Sequence, residues 1–169
     1  MIEDDIMALL AQATLLPIIF ANQNGPRPKL PYVTMRIEAA PRMPLLEAGL
    51  SEEGVQTYAA HRDSTVELQC FGEGSFDALD LVSQRLKGPA MLGAALEANL
   101  AIYAVDAVQN VPVLRDGTRY EPRAVLDIGV RYTKQHDEQV GLIKTVQGDM
   151  SLHEGGHELA GSFEAGDAL

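Results

Sequence analysis

Cysteine is nearly missing from this chain: Cys70 is the one cysteine in 169 residues. A single cysteine excludes a disulfide framework within the chain. Tryptophan is absent altogether. No apolar run approaches the roughly 18 residues that a membrane-spanning helix needs. Cations are scarce, with 13 Lys and Arg against 24 Asp and Glu, a formal net charge of −11 and a pI of about 4.7. A chain this acidic is not built to grip nucleic acid, because affinity for phosphate comes from Lys and Arg displacing counterions. It can still surround DNA without holding it. The chain opens on Glu3-Asp4-Asp5, where a secretory signal would carry positive charge, so a cytosol-like compartment is expected. No repeat recurs at any period of about 20–50 residues.

Against these absences, the organising stretch runs from Thr65 to Leu86. Val66, Leu68 and Cys70 alternate with Thr65, Glu67 and Gln69, the period-2 pattern of a strand with one buried face. Cys70 falls on the inward side and reads as a small buried hydrophobe. Gly72 and Gly74 break the alternation. Ser75 is positioned to cap a helix, Asp77 sits in its first turn, and Phe76, Leu79, Val82 and Leu86 recur at helical spacing. Gly88-Pro89 ends that helix.

Other elements fall around this seed. Residues 2–13 form a helix with Ile2, Ile6, Leu9, Leu10 and Ala13 on one face. Three prolines and a glycine between 21 and 32 force an extended path that Arg27 and Lys29 make locally basic. Val33, Met35 and Ile37 mark a strand. Residues 39–60 read as an exposed arm or hairpin, since Pro41 and Pro44 exclude a central strand. A short helix at 90–98 with Asn99 as its C-cap, a strand at 100–108, a reversal at Asp116-Gly117 and a returning strand at 123–133 follow. A short strand fits 140–147. Residues 148–169, rich in Gly, Asp, Glu and Ala, read as a polar C-terminal tail, mobile or ordered by a partner. The expectation is one α+β domain over 1–147, a mixed and mainly antiparallel sheet with helices packed on one face. Its other face, bearing Thr65, Glu67, Gln69, Asp127 and Arg131, is polar.

Two patterns that resemble chemistry are weak in context. His153-Glu154-Gly155-Gly156-His157 matches the zinc-protease H-E-x-x-H, which works only on a helix, where positions i and i+4 share a face. Two adjacent glycines oppose that helix at about 1 kcal/mol each. Gly72-Glu73-Gly74 follows a strand and opens a helix, but it lacks the third glycine and the parallel βαβ unit of a dinucleotide site. His61 and His136 lie in polar stretches. No catalytic residue, metal site or cofactor is expected.

Three blocks together resemble phage neck and tail-terminator proteins: 27–38, 66–72 with the helix to Leu86, and 107–114 joined through the turn to 121–132. That resemblance implies a structural, non-catalytic virion subunit, made in the host cytoplasm. Similar proteins form a hexameric ring that caps the tail tube and joins it to the head, with DNA passing through the lumen. Tail tube, sheath and head–tail adaptor or neck proteins are the implied partners, with no membrane. Arg27, Pro28, Lys29, Pro31, Tyr32 and Arg123 are the candidate residues of the subunit interface. The rival readings are another head–tail joint component, an adaptor or tail-completion subunit, and a small metal-dependent hydrolase using 153–157.

Overall fold

A computed structural model describes residues 1–38, 41, 43–115, 117–154 and 157–166, with side chains except those of 152–159. The chain divides into two units. The first comprises Met1–Leu46 and Ala59–Lys134, the second Glu47–Tyr58 and Gln135–Leu169.

In the first unit, helix α1 (Ile2–Ala13) buries Ile6, Leu9, Leu10 and Ala13 and carries Glu3, Asp4 and Asp5 in its first turn, where negative charge favours the helix dipole. Strand β1 (Ile18–Phe20) pairs in parallel with β2 (Tyr32–Ile37). Strand β3 (Leu46–Leu50) leads into β4 (Val55–Phe71), a 17-residue strand whose inner part pairs antiparallel with β2. Helices α2 (Ser75–Leu86) and α3 (Pro89–Glu97) follow. Asn99 adopts φ 55° just past α3, the left-handed stop that asparagine tolerates. Next come β5 (Leu100–Val105), β6 (Gln109–Asn110), the hairpin of β7 (Val113–Arg115) and β8 (Arg119–Glu121), and the long β9 (Arg123–Gln139). The strand order is β1-β2-β4-β9-β5, with β6 also on β9. Only the β1–β2 pairing is parallel among the registers described. The architecture is α+β.

Alternation decides which face is buried. Val33, Met35, Val66, Leu68, Cys70, Ala124, Leu126, Ile128 and Val130 share one core with Leu10, Leu79, Leu86 and Ala95 of the helices. The register places Val33 opposite Cys70 and Met35 opposite Leu68, so apolar partners stack on the helix side. Arg85 Nη1 donates to the Ala13 carbonyl at 3.1 Å, placing a cation at the C-terminus of α1, where the dipole favours it.

Two local expectations are corrected. Gly74, at φ 72°, is the N-cap of α2, and Ser75 is buried within the first turn without a capping bond. Phe76 is 44% exposed; the buried stripe of α2 runs through Ser75, Leu79, Val82 and Leu86 and passes beside it. The turn Gly72-Glu73-Gly74 is a tight exit from β4, which pairs antiparallel with β2, and no crossover links parallel neighbours there.

Cys70 is fully buried, and burial pushes its thiol up to about 11. A thiol reagent near pH 8 should therefore label the native chain very slowly and the urea-unfolded chain at once. Rapid native labelling would contradict the buried position.

The second unit holds the β3–β4 turn and a separate hairpin. Ser51 N–H donates to the Val55 carbonyl at 2.9 Å. Gly54, at φ 78°, lies against Gly141, whose backbone would meet an added Cβ at 2.9 Å. Val140 and Gly141 N–H both donate to the Gly54 carbonyl, at 3.0 and 3.1 Å. In place of a short strand at 140–147, the chain forms β10 (Thr145–Glu154), and within the polar tail from 148 it continues β10 and adds β11 (His157–Gly166), paired antiparallel with it.

Candidate functional site

The strap between β1 and β2 carries the predicted basic residues. Its ends are tied into the sheet: Ala21 N–H donates to the Met35 carbonyl and Val33 N–H to the Pro17 carbonyl, both at 2.8 Å. Between these ties Arg27 is fixed from several sides. Its Nε donates to Tyr32 Oη at 2.7 Å and its Nη2 bonds Glu121 Oε1. The guanidinium lies 5.3 Å from the Tyr32 ring centre and 5.5 Å from that of Phe71. Tyr32 and Phe71 are register partners whose rings stack at 5.3 Å. A planar cation over stacked aromatics is a geometry that arginine satisfies and lysine does not.

Glu121 is the centre of this cluster. It is 9% exposed and also accepts from Arg115 Nε at 2.7 Å. The β7–β8 hairpin supplies both residues and sets Arg119 opposite Arg115. Arg123, just beyond, donates to the Val111 carbonyl at 3.0 Å and to Gln69 Oε1 at 3.2 Å. Thus Arg27, Tyr32 and Arg123 gather at one end of the sheet, and the first two share a network. Lys29 and Pro31 are exposed and Pro28 half-buried. A groove of about 340 Å³ runs along the strap, lined by Phe20, Asn22, Arg27, Tyr32 and Thr34 among others. Sequence reasoning missed Arg115 and Glu121. The signal open to it was the charge pattern Arg119, Glu121, Arg123, alternating beside the Asp-Gly turn.

The sheet face away from the helices is polar, and it is crowded with carboxylates. Arg36 pairs with Glu38 at 2.5 Å and Glu67 at 3.2 Å. Burial, then the charges of Glu67, Glu38 and Asp106, push Asp127 above the usual carboxylate range. Because the folded pKa lies above the unfolded one, Asp127 favours folding in acid and loses that contribution as pH rises through its folded value. Asp127→Asn should therefore raise Tm by a few degrees or less at pH 7, and the gain should vanish toward pH 4. A thermal melt at both pH values checks it; a lower Tm at pH 7 would contradict it.

On the same face Tyr103 covers Gly129, where a Cβ would come within 2.5 Å of the ring. Arg131 lies 5.7 Å from that ring and grips Asp63 with two bonds, at 2.6 and 2.7 Å. That grip holds Asp63 below the usual carboxylate range.

Among the described residues no three His, Cys, Asp or Glu side chains gather around a possible ion position. His153 and His157 lie in different strands, with Glu154 and His157 as register partners, and not on successive turns of a helix. Their side chains lie outside the described set.

The family model described as phage neck terminator protein matches residues 4–155. No curated protein matches the chain.

Proposed function

The chain belongs to the phage neck terminator protein family, a structural family of the head–tail joint, and from that premise we propose that it is a ring-forming virion subunit that caps the tail tube. The match over residues 4–155 carries this reading. It takes in the main sheet, the helices, the strap and β10, and stops short of β11. The subunit is proposed to work without turnover or cofactor, as a homohexamer touching tail tube, sheath and neck proteins.

Two physical features support it. The strap cluster is a rigid basic pad on a chain of net charge −11, and unlike patches of opposite sign favour head-to-tail contact between copies. Within the pad, Arg27 and Arg123 are occupied by partners in their own chain, and Lys29 and Arg119, exposed and in no ion pair among the described residues, are the cations proposed to face a neighbour. A negative subunit repeated around a ring also gives a lumen that lets DNA slide. The arm at 39–60 and the C-terminal tail at 148–169 are proposed to reach neighbouring subunits or the next ring.

Native mass measurement of the purified protein, alone and with tail tubes, tests the reading. A cyclic oligomer, six copies by expectation, that blocks further tube growth is the predicted result. A strict monomer indifferent to tubes overturns it.

A further inference from the structure

The β10–β11 hairpin presents a surface that ring formation alone does not assign. Its strands pair without a bulge from Thr145↔Gly166 to Glu154↔His157. They make a sheet of two strands among the described residues, so each keeps one outer edge of unpaired N–H and C=O groups. Alternation sorts the side chains. Val146, Met150 and Phe163 share one face, and Gln147, Asp149 and Glu164 the other. The three large apolar residues are 49%, 64% and 54% exposed. Phe163 lies over Gly148, where a Cβ would sit 2.8 Å from its ring. A two-stranded hairpin with a bare apolar face is marginal in water.

Exposed edges are usually blunted by lysine, proline or a bulge. Residues 145–166 contain no Lys, Arg or Pro, and the pairing is regular. The edges are open to strand addition. We propose that the outer edge of β10 in one copy pairs antiparallel with the outer edge of β11 in the next, so that the hairpins of neighbouring copies continue one sheet.

A second copy is the occupant because the hairpin is complementary to itself. Its two edges run in opposite directions, so β11 of one copy meets β10 of the next in the antiparallel sense. Each copy gives one edge and receives one, a heterologous contact that closes when the rotation closes. A foreign strand would satisfy one edge and leave the other bare. Charge removes phosphate surfaces from contention: residues 145–166 hold four acids and no Lys or Arg, so neither nucleic acid nor anionic lipid fits. Closure would abolish every free edge of the hairpin sheet and align the apolar residues of all copies on one side.

This inference rests on the ring reading, and hydrogen exchange separates the two. The full-length protein is measured as monomer and as ring, following peptides within 145–154 and 157–166. Exchange there is expected to slow about tenfold or more in the ring, as newly paired amides become protected. Met150→Lys together with Phe163→Lys should raise the concentration needed for rings about tenfold or more, with monomer secondary structure retained. A wild-type ring whose hairpin amides exchange as in the monomer overturns the inference and leaves the ring standing. Protection that appears only on adding tail tubes overturns it also, by assigning the edges to the tube protein. A chain that never assembles overturns both.

Discussion

Leu126→Ala is expected to lower the stability of the first unit by about 2–5 kcal/mol, the range for truncating a buried leucine. Leu126 is fully buried on β9, a strand that lies between β4 and β5 in the sheet. Its side chain belongs to the core that the sheet shares with all three helices. Truncation removes buried methyl groups and leaves a void that flanking strands cannot close without disturbing their pairing. Urea unfolding followed by circular dichroism reads the loss as a lower midpoint at unchanged slope. Leu96→Ala is the matched control. Leu96 is on α3 and 76% exposed, so its truncation should stay within about 0.5 kcal/mol. Equal effects from the two variants would mean that the helices do not cover this face of the sheet.

The contrast between those leucines was partly legible in the sequence. Wherever a residue's environment depends on neighbours within one turn or one strand, spacing sufficed. Ile6, Leu9, Leu10 and Ala13 gave α1 its buried stripe, and Ala124 to Val130 gave β9 its inner face. Phe76 broke the rule because the buried stripe of α2 runs through Ser75, Leu79, Val82 and Leu86, and position 76 lies beside that stripe. β4 begins at Val55, upstream of its alternating stretch, although Gln56 to Asp63 mix polar and apolar residues without alternation. What holds them extended is cross-strand bonding, such as Thr57 to Asp137 at 2.7 Å. The β10–β11 hairpin was hidden by composition. Gly148 and Gly161 occupy apolar-face positions, so the period-2 signal is diluted where Phe163 fills the space opposite Gly148. Within the strap, the basic residues stood out by charge. Their anchor did not, because Glu121 is 94 residues from Arg27 in sequence, and no local pattern reports a pairing that distant.

Gly72→Ala is expected to cost about 1–3 kcal/mol and to unseat the strap. Gly72 ends β4 at φ 104°, a backbone conformation that residues with a side chain rarely adopt. An added Cβ would lie 3.2 Å from Leu30 Cβ and 3.3 Å from Pro31 Cα. Relief by rotating the peptide is blocked on the other side, because the Gly72 N–H donates to the Pro122 carbonyl at 2.9 Å. That bond fixes β4 to the residue between Glu121 and Arg123. The alanine must therefore push the strap outward or break the tie to Pro122, and either movement strains the Arg27–Glu121 contact. The variant should show a lower urea midpoint, faster proteolysis within residues 21–31 and weaker assembly. Gly93→Ala gives the opposite sign. Gly93 lies within α3 with nothing in reach of a Cβ, so alanine there should stabilise by about 0.5–1 kcal/mol through helix propensity. If Gly72→Ala proves as stable as Gly93→Ala, with the strap no more open to protease, then the strap is not seated on the end of β4 and cannot be the rigid pad proposed as a subunit contact.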